Sequence, residues 1–358
     1  MPFFPSPIPV STSSPLSRPL RLGINGYGRI GRCFLRALYE REVADRYQVV
    51  AINEPADRES IAYLTRFDST HGRFPVPVAL EDEGLMVGRR RLALCHATEP
   101  EEAFWKEQAL DLVVECSGRY GQRRDLQRFI AAGNPRLLLS HPGQSAADVD
   151  ATVVFGINQN ELNGRETIVS NASCTTNAVV PVLERLHQAV GVEHVVLTTL
   201  HSVMNDQPLI DGYHHPDLRR TRSAMQSIIP VSTGLARGVE RLLPALAGRV
   251  QAKAIRVPTT NVSAIDVTLT AARDVTAAEI NQILAEAAAQ GPLAGLLDYT
   301  DEPHASVDFN HDPHSAIVDG SQTRASGPRL INLLLWFDNE WGFANRMVDV
   351  LQHWSGRW

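Results

Sequence analysis

Two features of the chain predict its fold class. Short apolar runs alternate with helix-patterned runs through the first half, and a glycine-rich turn joins the first such strand to the first helix. Together they predict an α/β protein whose first half is a doubly wound parallel sheet. Beyond residue 174 the rhythm changes to longer strands and a long polar loop, which predicts a second domain. At 358 residues, 44% hydrophobic and 21% charged, the chain has enough material for two separate cores.

Taken in order, the first twenty residues hold six prolines and five serines, with neither a basic start nor a continuous apolar run. Residues 1–19 are expected to form a disordered tail rather than a signal peptide, and a transit peptide has only Arg18 in its favour. Residues 20–25 read as a strand, 32–42 as a helix and 48–53 as a second strand ending at Glu54. Between the first two lies Gly26-Tyr27-Gly28-Arg29-Ile30-Gly31. The glycines allow a tight turn and close approach of a pyrophosphate to a helix N-terminus, and Glu54 is placed to accept from an adenine-ribose hydroxyl. This is a Rossmann-type dinucleotide unit. A carboxylate at Glu54 repels a 2′-phosphate, so NAD is expected rather than NADP, with nearby Arg58 the one argument against.

Further strands are expected at 91–95, 110–115 and 136–140, the last two ending in Ser117-Gly118 and Ser140-His141-Pro142-Gly143. Such carboxyl ends are where doubly wound sheets bind ligands. The second half reads as strand 193–200, loop 201–226, strands 251–257 and 261–271, a helix opened by the capping box Thr276 to Glu279, and strand 329–337.

Cys174 stands among small polar residues, Ser173 and Thr175 included, directly before an apolar helix starting near Ala178. Helix amides and the dipole favour a thiolate there, so Cys174 reads as a nucleophile, whereas Cys33, Cys95 and Cys116 read as structural thiols among aliphatics. An unperturbed cysteine is only about 3% ionised at neutral pH. A base is therefore needed, and His201, ending an apolar strand and opening the polar loop, is expected at an edge as its partner. Arg219, Arg220 and Arg222 in that loop, Ser232-Thr233-Gly234 before another helix, and Arg256 at a strand end make an inventory of anion-binding groups. Arg256 lies between Ile255 and Val257 and is expected to be part-buried against a carboxylate or a ligand phosphate.

The formal net charge of −6 argues against nucleic acid as a partner, and no apolar run reaches membrane-spanning length. Scattered cysteines form no disulfide framework and point to a reducing, cytoplasmic setting. His311 and His314 lack a third ligand pattern, so no metal is expected.

From Leu20 onward the chain resembles the phosphorylating glyceraldehyde-3-phosphate dehydrogenase superfamily, through INGYGRIGR (24–32), FDSTHGRF (67–74), SNASCTTN (170–177), DLRRTR (217–222), SIIPVSTG (227–234), RVPTTNVS (256–263) and WFDNEWGF (336–343). SHPG (140–143), YHHPDLRRTR (213–222), SVDFNHDPHSAIVDGSQTR (306–324) and DNEWGFANR (338–346) are most similar to its D-erythrose-4-phosphate dehydrogenase branch.

The resemblance implies a Rossmann NAD-binding domain over 20–173, completed by a C-terminal helix at 340–358, and a mixed-sheet α+β catalytic domain over 174–339, assembled as a homotetramer. It implies Cys174 as nucleophile and His201 as acid/base. Ser173, Thr175, Arg220, Thr233 and Gly234 would form one anion subsite, and Asp206 with Arg256 the other. Asn339 would hold the nicotinamide carboxamide, Arg29 and Ile30 the pyrophosphate, with Ser140 also lining the cofactor. The implied substrate is a small aldehyde phosphate, and the implied product of the erythrose branch feeds pyridoxal 5′-phosphate synthesis. Met204, Thr98 and Phe343 depart from the family pattern, replacing a threonine, an arginine and a tyrosine. A glycolytic enzyme and a non-catalytic NAD-binding protein remain the alternatives.

Overall fold

The structure, a computed structural model, describes residues 18–82, 84–103, 105–213 and 217–358. The expected tail lies outside them up to residue 17. The described chain forms two compact units, one of residues 18–173 with 344–358 and the other of residues 174–343.

The first unit contains β1 (Leu20–Asn25), α1 (Arg29–Glu40), β2 (Tyr47–Asn53), α2 (Arg58–Arg66), a short ribbon of β3 (Phe67–Asp68) and β4 (Gly72–Arg73), β5 (Val78–Glu81), β6 (Gly84–Val87), β7 (Arg90–Cys95), β8 (Leu112–Glu115), α3 (Arg123–Ala131), β9 (Leu137–Leu139), β10 (Ala151–Thr152) and β11 (Ile168–Ser170). Its nine-stranded sheet runs β10-β11-β9-β8-β1-β2-β7-β6-β5. The strands from β10 to β7 are parallel, and β6 and β5 add an antiparallel edge. Strands are added outward on one side of β1 (β2, β7) and then on the other (β8, β9), so the carboxyl ends of β1 and β8 form the topological switch point of a doubly wound sheet. The strands carry near-continuous apolar runs because both faces are covered: Leu22, Ile24, Ile52, Val113, Val114 and Leu138 have no more than a trace of exposure.

The second unit begins with α4 (Cys174–Val190), followed by β12 (Val192–His201), β13 (Ile229–Val231), α5 (Leu235–Leu242), β14 (Val250–Arg256), β15 (Ser263–Ala271), α6 (Ala277–Ala289), β16 (Leu297–Thr300), β17 (Ala316–Ser326) and β18 (Leu330–Phe337). Its sheet order is β13-β14-β12-β15-β18-β17-β16. It is mixed, with β12 and β14 parallel while β15 runs antiparallel to β12 and β18. Half of the capping box predicted at Thr276 is realised: the Glu279 amide donates to Thr276 Oγ1 at 3.1 Å, while the Glu279 carboxylate pairs with Arg273 at 2.6 Å.

The last helix, α7 (Trp341–Ser355), is capped by Asp338, whose Oδ1 accepts the Glu340 and Trp341 amides. From Ala344 it belongs to the first unit. There the fully buried Asp349 pairs with Arg41 at 2.6 Å and Arg346 at 2.7 Å, and Trp354 Nε1 donates to Glu166 at 3.1 Å. No helix among the described residues is long and apolar enough to cross a membrane.

Candidate active site

The glycine turn divides its labour. Gly26 adopts φ +81, and a Cβ there would lie 2.4 Å from the Ser117 amide nitrogen; a Cβ on Gly31 would lie 2.4 Å from Gly26 O. These two are required by backbone packing. Gly28 is different, since a Cβ there would meet nothing within 4 Å. The open cradle sits at the start of α1, whose first residues are Arg29 and Ile30, three positions earlier than the expected helix. That end carries no side-chain cap and no acid in its first turn, the arrangement a pyrophosphate needs. The Arg29 side chain itself is paired with Asp68.

Glu54, one residue past β2, accepts the Tyr27 amide at 2.7 Å and the Ala56 amide at 3.3 Å. Arg58 donates instead to the carbonyls of Glu81 and Asp82, so its charge is committed away from Glu54. At the switch point a buried polar chain joins three strand ends. Asn25 donates to Glu115, Asn53 donates to Asn25 at 2.8 Å, and the Ala97 amide donates to Asn53 at 2.9 Å. Burial pushes the Glu115 carboxyl up to about 7, opposed by hydrogen bonds from Ser117 and Asn25. The Ser140 amide donates to Glu115 O at 3.0 Å, and its hydroxyl bonds the Cys116 thiol, which burial raises well above the ordinary range.

In the second unit Cys174 is the first residue of α4, four residues before the apolar run that predicted the helix. Ala172, two residues earlier, takes the left-handed φ of +57, a sharp turn between β11 and the helix. Cys174 Sγ lies 3.8 Å from His201 Nε2. The pair expected from sequence is therefore brought together, but two of its expected properties are not realised.

His201 is not presented at an edge. It is the last residue of β12, 7% exposed, because β14 and β15 flank its strand and the Phe337 ring stands edge-on at 6.4 Å. Nor does the helix N-terminus act on the thiol alone. Burial pushes Cys174 up to about 11 despite the Thr175 amide and the Arg256 charge, while burial and Arg256 pull His201 down to about 4. Burial favours the neutral thiol and the neutral imidazole and so opposes the helix dipole.

Register places the next residue. His201 and Arg256 are direct partners on the parallel strands β12 and β14 and so project on one face. Arg256 Nη1 lies 2.7 Å from His201 Nδ1 and 3.3 Å from Ser202 O. Among the described residues no carboxylate pairs directly with Arg256, while Asp206 acts on it through its charge. Asp206 pairs with Arg220 at 2.6 Å, which links residues assigned to separate anion subsites. Thr233 Oγ1 accepts the Leu235 amide at 3.1 Å and Gly234 is the N-cap of α5. Met204 is 46% exposed, and its amide reaches Gln207 Oε1 at 3.4 Å.

Asn339 is held by two hydroxyls that sequence reasoning missed. Its Oδ1 accepts Ser202 Oγ at 3.0 Å and Ser263 Oγ at 2.8 Å, and Ser263 Oγ in turn accepts the Ser202 amide at 3.1 Å. With Oδ1 accepting from both hydroxyls, Nδ2 is the end of the amide that donates. Val262, before Ser263, has φ +61, a strained conformation for a β-branched residue. His311 stacks on Trp341 at 3.9 Å, and His314 Nδ1 meets Asp312 at 2.8 Å.

Two family models match this chain. Residues 20–123 match the glyceraldehyde 3-phosphate dehydrogenase NAD binding domain, and residues 173–339 match the glyceraldehyde 3-phosphate dehydrogenase C-terminal domain. The cofactor is accordingly NAD, which the open cradle at Gly28 and the uncapped start of α1 fit. With a cysteine and a histidine 3.8 Å apart in the unit that carries the second match, the chain belongs to the glyceraldehyde-3-phosphate dehydrogenase family of NAD-dependent oxidoreductases.

Proposed function

We propose that this protein oxidises D-erythrose 4-phosphate to 4-phosphoerythronate, using NAD and a Cys174 thioester that water hydrolyses, and that the product serves pyridoxal 5′-phosphate synthesis. The observation that carries the substrate choice is Met204. It supplies no side-chain donor where the glycolytic enzymes usually place a threonine, which suits a phosphate set one carbon further from the carbonyl. The branch-like segments at 140–143, 213–222 and 306–324 support the same choice.

Cys174 Sγ adds to the aldehyde carbon and the thiol proton passes to the carbonyl oxygen, giving a hemithioacetal; amides at the start of α4 stabilise the oxyanion that develops. His201 Nε2 takes the hydroxyl proton as the carbon-bound hydrogen departs with its electron pair. NAD, when bound, supplies the acceptor for that pair. Once His201 has released that proton to solvent, water cuts the thioester left on Cys174: it gives one proton to His201, which returns it to the leaving sulfur, and the acid product ionises to a carboxylate and one proton. Arg256, Arg220, Ser173, Thr175, Thr233 and Gly234 bind anionic oxygens, Asp206 orients Arg220, and Asn339 holds the nicotinamide carboxamide between Ser202 and Ser263.

We propose a homotetramer in the cytoplasm. Leu209, Ile210, Leu218 and Ile228, each at least 69% exposed, support burial of this loop against another copy. The second reading is a phosphorylating glyceraldehyde-3-phosphate dehydrogenase, in which inorganic phosphate cuts the same thioester. NADH formation from each aldehyde phosphate, with and without inorganic phosphate, separates the two. Preference for the four-carbon aldehyde without a phosphate requirement supports the proposal, and preference for glyceraldehyde 3-phosphate with a strict requirement overturns it.

A further inference from the structure

The carboxyl ends of β7, β2, β1 and β8 are joined by a buried chain of hydrogen bonds whose direction is fixed by backbone at both ends. At the β7 end the Ala97 amide donates to Asn53 Oδ1 at 2.9 Å and the Ala97 carbonyl accepts Asn53 Nδ2 at 3.1 Å, so the Asn53 side chain has one orientation. Its Nδ2 also donates to Asn25 Oδ1 at 2.8 Å, which leaves Asn25 Nδ2 to donate to Glu115 Oε2. At the β8 end the Ser117 amide, which can only donate, meets Glu115 Oε1 at 2.7 Å, and the Ser117 hydroxyl bonds the same oxygen. Both oxygens of a fully buried carboxyl therefore face donors, and of these donors only the Ser117 hydroxyl can turn round.

The charge on Glu115 thus decides which way that hydroxyl points. With Glu115 ionised, Ser117 Oγ donates to Oε1, accepts the Arg119 amide at 3.2 Å and keeps one lone pair. With Glu115 protonated, the added proton is donated to Ser117 Oγ, both of whose lone pairs are then used, and the hydroxyl proton is left over. What Ser117 offers outward changes from an acceptor to a donor. Ser117 is only partly buried, and a Cβ on Gly26 would lie 2.4 Å from its amide nitrogen, so the offer is made beside the glycine turn of the cofactor cradle.

We propose that Glu115 is a positioning residue for NAD: ionised, it holds the Ser117 hydroxyl with a lone pair free for a donor group of the cofactor, and protonated, it reverses the hydroxyl and weakens binding. Burial pushes the Glu115 carboxyl up to about 7 against the Ser117 and Asn25 hydrogen bonds, so both forms are populated at neutral pH. The neighbouring titratable groups are otherwise engaged. Cys116 and Tyr120 feel the Glu115 charge, and burial holds both neutral. Arg119 is committed to the Thr98 carbonyl at 3.1 Å and to Glu99 at 3.8 Å, and Glu54 to the Tyr27 and Ala56 amides. NAD binding accordingly releases a proton near pH 7, whichever aldehyde the enzyme oxidises.

Calorimetric titration of the full chain with NAD, in two buffers of different ionisation heat, counts that proton. About half a proton should be released per NAD at pH 7, and the dissociation constant should be about tenfold higher at pH 6 than at pH 8. Glu115→Gln and Ser117→Ala should each bind NAD with a dissociation constant that no longer changes between these pH values, and should release no proton. A wild type that releases no proton and binds NAD equally at pH 6 and pH 8 overturns the proposal, and this arm needs no variant to fold. So does a pH dependence that Ser117→Ala retains in full. If Glu115→Gln binds NAD weakly while the wild type releases no proton, the carboxyl is structural support alone and the proposal fails.

Discussion

Ser202 bonds in two directions: its carbonyl oxygen lies 2.9 Å from His201 Nδ1, and its hydroxyl donates to Asn339 Oδ1 at 3.0 Å. One residue therefore ties the orientation of the base to the orientation of the amide assigned to the carboxamide. Ser263 doubles the tie by accepting the Ser202 amide and donating to the same oxygen.

Ser263→Ala should strand the buried Ser202 amide and loosen Asn339 together. The expected cost is about 1–3 kcal/mol in stability, with a raised Michaelis constant for NAD. Steady-state kinetics with varied NAD, beside urea unfolding, check both; a variant with unchanged NAD kinetics would show that Ser202 alone suffices to hold the amide.

Cys174→Ser should abolish oxidation of either aldehyde phosphate. His201→Asn should slow turnover by roughly 10²–10⁴-fold, the usual cost of lost acid–base help. Single-turnover NADH bursts measure both, and a wild-type burst from the serine variant would remove the thioester from the pathway.

The discrimination between NAD and NADP is expected to rest on Glu54, because Arg58 is bound to the Glu81 and Asp82 carbonyls. Glu54→Ala should narrow the preference for NAD, chiefly through the Michaelis constant for the cofactor. Arg58→Ala should leave it nearly unchanged, and a collapse of NADP use in that variant would show that Arg58 reaches the ribose after all.

Glu115 and His201 give stability opposite pH slopes. Glu115 rises from 4.5 to about 7 on folding, so the folded state holds the extra proton and stability from this group is lost as pH increases through that window. His201 falls from 6.5 to about 4, so its contribution is present above 6.5 and is lost as pH falls toward 4. Each shift corresponds to about 3 kcal/mol, and the two nearly cancel between pH 4.5 and 6.5. Glu115→Gln should leave stability rising with pH relative to wild type, and His201→Asn should leave it falling. Urea midpoints from pH 4 to 8 decide, with parallel curves for all three proteins the adverse result.

The β1-turn-α1-β2 unit was legible because its glycines, helix start and acidic strand end are all local in sequence. Cys174 was legible for the same reason. His201 and Arg256 lie fifty-five residues apart and meet only through the register of two parallel strands, which neither segment encodes alone. The burial that pushes the Cys174 thiol up was not legible either, because burial is a property of the packed unit. Asn25, Asn53 and Glu115 gave a partial signal, since each ends a strand, but their mutual hydrogen bonds follow from strand order.

The return of α7 to the first unit has a consequence for biosynthesis. Arg41 emerges from the ribosome 308 residues before its buried partner Asp349. The cofactor-binding unit cannot complete its ion pairs until the continuous stretch 174–343 has been synthesised, whereas that stretch has all of its own sheet in hand by Phe337. The first unit has all nine strands of its sheet by Ser170, yet it receives its last helix only after the second unit has been made.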